Sequence, residues 1–121
     1  MSIDKTLPLI DYAVLRGQMA KFDSLLETLQ ALFLEQAPLW IADLDAAFAR
    51  EDLDAVRRLC HKIKGGAGTL QAKAIVAGAV ELSHQVAAND APAIAESWVQ
   101  LRYTIEQTIA FVRAHGGCQT R

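Results

Sequence analysis

Residues 53–70 read Leu-Asp-Ala-Val-Arg-Arg-Leu-Cys-His-Lys-Ile-Lys-Gly-Gly-Ala-Gly-Thr-Leu. Leu53, Val56, Cys60, Ile63, Ala67 and Leu70 recur at the i, i+3, i+4, i+7 spacing of one helix face, and the acidic residues just ahead suit a helix N-terminus. The spacing predicts a helix that opens at Glu51 or Asp52. At about 100° per residue, His61 falls roughly 130° from the centre of the apolar stripe, on one face with Arg57, Lys64, Gly65 and Gly68. The imidazole is therefore expected to point outward. Three glycines inside a helix cost about 2–3 kcal/mol relative to alanine, so some use must offset them. Tight helix crossing is one such use, but the face that Gly65 and Gly68 share with His61 favours access to the imidazole.

An imidazole titrates near neutral pH, so an exposed histidine is in part unprotonated and nucleophilic. If His61 carried a phosphoryl group, Lys64 and Arg57 would lie one helical turn away, placed to neutralise the charge and donate hydrogen bonds to its oxygens. Lys62 points elsewhere. A histidine alone on a helix is more often an ordinary side chain, and it is the surrounding pattern that singles out His61. His84 and His115 lack that context and are assigned no role.

Working outward, every other segment also has helical spacing, with no strict alternation and no Asn-Gly or Asp-Gly hairpin signal. A short first helix is expected over about 11–20, with Tyr12, Leu15 and Met19 on one side. A long one begins near Asp23 or Ser24, where Ser24 and Glu27 have capping-box spacing, and runs toward Arg50. Its stripe is Leu25, Leu29, Leu32, Phe33, Trp40, Leu44 and Phe48, and Pro38 within it predicts a kink or a break into two segments. After a turn near Gln71 or Ala72, a further helix presents Ile75, Ala79, Leu82 and Val86 and stops at Asn89 and Asp90. Asp90 caps the last helix, whose buried face is Ile94, Trp98, Leu101, Ile105, Thr108 and Val112 and whose end is Gly116 and Gly117. Trp40, Trp98 and Phe48 read as core. Short connections between long amphipathic helices favour an all-α, up-down antiparallel four-helix bundle with the short N-terminal helix packed across one end.

At 121 residues the chain is expected to be one domain, 1–121, with its core over about 22–112 and a C-terminal tail at 116–121. The longest apolar run, Ala74 to Val80, is far short of the roughly 20 residues of a membrane span. No export signal is read at the N-terminus, so a cytoplasmic location is expected. Cys60 and Cys118 form no C-x-x-C pair and have no histidine at zinc-ligand spacing, and both read as free thiols. A net charge of −2 argues against a nucleic-acid partner. Asp43, Asp45, Glu51, Asp52 and Asp54 read as caps and solvated charge, and no carboxylate cluster or histidine pair of an enzyme is found.

His61, Ile63, Lys64 and Gly65 spell H-x-[hydrophobic]-K-G, and the run HKIKGGAGTL closely resembles the phosphoacceptor helix of the histidine-containing phosphotransfer (Hpt) domain family of multistep phosphorelay two-component systems. In looser form the resemblance extends from about Phe22 to Val112. It implies that His61 accepts a phosphoryl group from a receiver-domain aspartate of a hybrid sensor kinase and passes it to the receiver aspartate of a response regulator. It implies that Lys64 contacts the phosphate and that Gly65 and Gly68 let the receiver approach. It further implies no ATP-binding or catalytic domain and no cofactor of its own, the magnesium ion being expected on the partner receiver. The expected partners are those two receiver domains, with no nucleic acid and no membrane, and the module is expected to be a monomer. Basic residues beside His61 would steer the acidic receiver pocket.

Two positions depart from the family's pattern. Where the family commonly has Glu or Gln able to bond near the histidine, this chain has Ser83, a support residue of shorter reach. Where it often has Gly after the motif's last hydrophobic residue, this chain has Gln71. The same wording also resembles the first domain of chemotaxis-type histidine kinases, but no nucleotide-binding motif is present, so phosphate is expected from another polypeptide. An adaptor that sequesters a partner without phosphate transfer is the competing class, and His61 together with Lys64 argues against it.

Overall fold

The computed structural model describes residue 10 and residues 23–115. Among these there are four α-helices and no strand: α1 Asp23–Ala49, α2 Leu53–Thr69, α3 Lys73–Ala88 and α4 Ala91–His115. The helix expected over 11–20, the tail at 116–121 and Cys118 lie outside the described residues. α1 packs on α2 and α4, α2 on α3, and α3 on α4, which closes a ring of four. Links of two or three residues make successive helices antiparallel neighbours.

Each link follows from local chemistry. The amides of Glu51, Gln71 and Asn89 donate to Phe48, Gly68 and Val86, and the next amides, Asp52, Ala72 and Asp90, donate to Ala47, Ala67 and Gln85. That paired pattern ends a helix in a left-handed residue, and Glu51, Gln71 and Asn89 have φ of 55°, 60° and 57°. Gln71 thus takes the conformation a glycine would adopt more readily, and the turn forms where it was expected. Asp52 and Asp90 then cap the helices that follow: Asp52 Oδ1 accepts from the Ala55 amide at 3.0 Å and Asp90 Oδ1 from the Ala93 amide at 3.2 Å.

Most of the predicted stripe residues form the core; Leu29 and Leu53 are half-buried against it, and the side chains of Ser24 and Leu25 lie outside the described residues. Leu44, Val56, Ile63, Ile75, Leu82, Leu101, Ile105 and Val112 are fully buried, and Ile10 joins them. Phe33 and Trp40 meet edge to face with centroids 5.7 Å apart. Phe48 and Trp98 are only half-buried; they stack at 5.6 Å on the rim of the core. Arg102 lies over Trp98 and pairs with Asp45 at 3.2 Å and Glu106 at 3.6 Å. Thr104 and Thr108 enter the core because their hydroxyls donate back to the carbonyls of Gln100 and Thr104, which satisfies them within the helix.

Expectations for α1 are narrowed at one residue and corrected at another. Of the kink or break expected at Pro38, the break is absent, and the helix continues through it from Asp23 to Ala49. Pro38 is on the exposed face, where packing of the turns on either side holds the helix together despite one missing backbone donor. Leu32 does not belong to the buried stripe and is 48% exposed. The stripe actually runs through Phe33, Ala37, Trp40, Leu44 and Ala47, and at 100° per residue Leu32 falls about 100° to one side of its centre.

Candidate functional site

His61 lies midway along α2, fixed there by the residues on either side of it. Cys60 and Ile63 are buried, which rotates His61, Lys62 and Lys64 into solvent. Burial pushes the Cys60 thiol up to about 12, since the low-dielectric core disfavours its thiolate. Two neighbouring residues that could each act as a nucleophile are thus assigned to different media by the turn of one helix.

The glycines divide by use. A Cβ built at Gly65 or Gly68 would meet nothing within 4 Å, whereas one at Gly66 would come within 3.0 Å of Trp40 Cζ2. Gly65 and Gly68 leave open space along the exposed side of α2, while Gly66 admits the indole of α1. Thr69 Oγ1 donates to the Gly65 carbonyl at 3.1 Å, an added tie across the glycine-rich turn.

Two shallow cavities flank His61. Asp54, Arg57, Arg58, His61 and Ser83 line one. Cys60, His61, Lys64, Ala79, Val80, Ser83 and His84 line the other, of about 150 Å³. Ser83 borders both, so α3 forms a shared wall beneath the imidazole. Arg57, Arg58 and Lys64 are exposed, and among the described residues Asp54 is the only carboxylate lining either cavity. A small anion attached to His61 would therefore find cations and a hydroxyl around it. Lys62 instead borders an apolar groove of about 340 Å³ with Leu29, Leu32, Trp40 and Gly66. Among the described residues no group of three or more His, Cys, Asp or Glu side chains is arranged to hold a metal ion.

The structure thus brings together all the residues singled out in the sequence: His61, Arg57, Lys64 and Ser83, with Gly65 and Gly68 bare beside them. No direct hydrogen bond joins Ser83 to His61, in keeping with the short reach of a hydroxyl. His84 is the residue that sequence reasoning passed over. It stands 23 positions after His61, and only the packing of α3 against α2 puts the two imidazoles on one cavity. The signal available beforehand was its place next to Ser83.

A family model described as Hpt domain matches residues 22–113. No curated protein and no solved structure matches the chain.

Proposed function

Because this chain belongs to the Hpt domain family, phosphoryl carriers of two-component phosphorelays, we propose that His61 is the residue that carries the phosphoryl group. It takes the group from the receiver aspartate of a hybrid sensor kinase and gives it to the receiver aspartate of a response regulator. The observation that carries this reading is the setting of His61: an exposed imidazole with open space at Gly65 and Gly68 and with Arg57 and Lys64 beside it.

In the first transfer the lone pair of the unprotonated ring nitrogen attacks the phosphorus of the aspartyl phosphate. The P–O bond to the aspartate breaks, its electron pair leaves with the carboxylate, and an N–P bond forms; the other ring nitrogen keeps its proton. In the second, a carboxylate oxygen of the next receiver attacks the phosphorus and the N–P electron pair returns to the ring. Arg57 and Lys64 stabilise the phosphoryl oxygens while the group rests on His61. The module positions a nucleophile, and the partner's acidic pocket with its magnesium ion neutralises the charge in transit. The module works as a monomer without a cofactor of its own.

Incubating the protein with a phosphorylated receiver tests this. Acid-labile, alkali-stable label is expected on the wild type and absent from His61→Gln. Equal labelling of the two proteins would refute the assignment.

A further inference from the structure

We propose that His84 binds the phosphoryl group carried by His61, as the α3 counterpart of Lys64; this rests on the reading of His61 just given. The cavity of about 150 Å³ shared by His61, Lys64, Ser83 and His84 has the size and chemistry for that group. α2 brings the acceptor imidazole and an ammonium, and α3 brings a hydroxyl and a second imidazole. Among the described residues no carboxylate lines this cavity, and none from α1 or α4 does.

The charges facing His84 are few. Across the cavity stand His61 and Lys64, with the protonated Cys60 thiol behind them. Arg57 and Arg58 border the adjoining cavity on the far side of Ser83, with Asp54. On its own helix Glu81 lies one turn earlier; Gln85 Nε2 donates to its carboxylate at 2.6 Å, which orients that anion without removing its charge. His84 makes no hydrogen bond or ion pair of its own among the described residues. Before phosphorylation a protonated His84 faces like charge from Lys64 across the cavity and opposite charge only from Glu81 on its own helix. A phosphoryl dianion on His61 reverses this, because it is opposite in sign to both side chains and accepts from both. Either form of the ring can donate an N–H, and the protonated form adds a charge.

The consequence is a phosphoryl group held more firmly on His61 at lower pH, through a residue that need not take part in the bond changes. The test measures how phosphoryl is partitioned between one phosphorylated receiver and wild type, His84→Ala, His84→Lys or His61→Gln, at about pH 6 and about pH 8.5. Using one receiver throughout cancels its own pH dependence from the ratios. Because His84 is exposed, its variants are expected to melt like the wild type.

At the lower pH His84→Ala should hold about three- to tenfold less phosphoryl than wild type, the range for one partly solvated charge-assisted hydrogen bond. The deficit should shrink at the higher pH, and His84→Lys, a fixed cation, should remove it at both. Equal partition for wild type and His84→Ala at both pH values would overturn the proposal. So would a deficit that is independent of pH and not restored by lysine, which marks a merely structural role. Label on His61→Gln would instead defeat the carrier assignment beneath it, a result the His84 variants alone cannot produce.

Discussion

Cys60 and His61 are consecutive, yet only the imidazole is exposed to solvent. The thiol is 2% exposed and holds its proton until about pH 12, against 9.0 for an ordinary cysteine. Between those values the unfolded chain binds fewer protons than the folded one, so stability must fall as pH rises, with a limiting slope of about 1.4 kcal/mol per pH unit. Below the ordinary thiol range the group is neutral in both states and contributes no slope. Denaturant titrations from about pH 8.5 to about pH 11 should show a steeper loss for wild type than for Cys60→Ala. Identical slopes would show that the native thiol ionises as readily as an exposed one. With Cys118 replaced by serine, Cys60 should react with a thiol reagent only as fast as the bundle opens.

At the scale of the helix, α2 is a compromise between folding and access. Gly65 has open space where a Cβ would sit, so Gly65→Ala should stabilise the fold by up to about 1 kcal/mol through helix propensity alone. A bulkier Gly65→Leu should leave folding intact but slow phosphoryl transfer from a receiver. Gly66→Leu should do the reverse, destabilising by about 1–3 kcal/mol because its added side chain crowds the buried Trp40 ring. Melting curves and transfer rates on these variants separate the two uses. The sequence revealed the helix, its outward histidine and the bare face, because those depend on spacing within one helix. It could not separate Gly66 from its neighbours, since what decides the matter is the residue α1 places opposite. For the same reason it passed over His84, which reaches the site only through inter-helix packing, and misplaced Leu32, whose burial depends on which flank of α1 the bundle covers. The helix ends at Asp52, Asn89 and Asp90 were legible because capping is local. At Pro38 the sequence left a kink and a break both open, because tertiary packing decides whether a helix survives a proline.

Across the whole molecule, charge is unevenly placed. The chain is acidic overall, with a net charge of −2, yet α2 carries Arg57, Arg58, Lys62 and Lys64 against a single Asp54. The basic helix is thus the surface an acidic receiver pocket would meet, in a protein otherwise of like sign to it. Long-range attraction of this kind acts on the encounter rate and is screened as the Debye length falls from about 30 Å at 0.01 M salt to about 8 Å at 0.15 M. The association rate with a receiver should fall over that range, and Arg57→Ala with Lys64→Ala should lower it at low salt and flatten its salt dependence. Rates unchanged by salt or by the double substitution would mean that docking relies on apolar contact alone.

All of this rests on one bond, between phosphorus and a ring nitrogen of His61. The most direct measurement is to phosphorylate the protein from a receiver, digest it under alkaline conditions, and locate the added phosphoryl mass by peptide fragmentation before and after a second receiver is added. The added mass is expected on the peptide that contains His61, assigned to that residue, and should disappear when the second receiver takes the group. Phosphoryl found on another residue, or retained on His61 in the presence of every receiver that binds the protein, would contradict it.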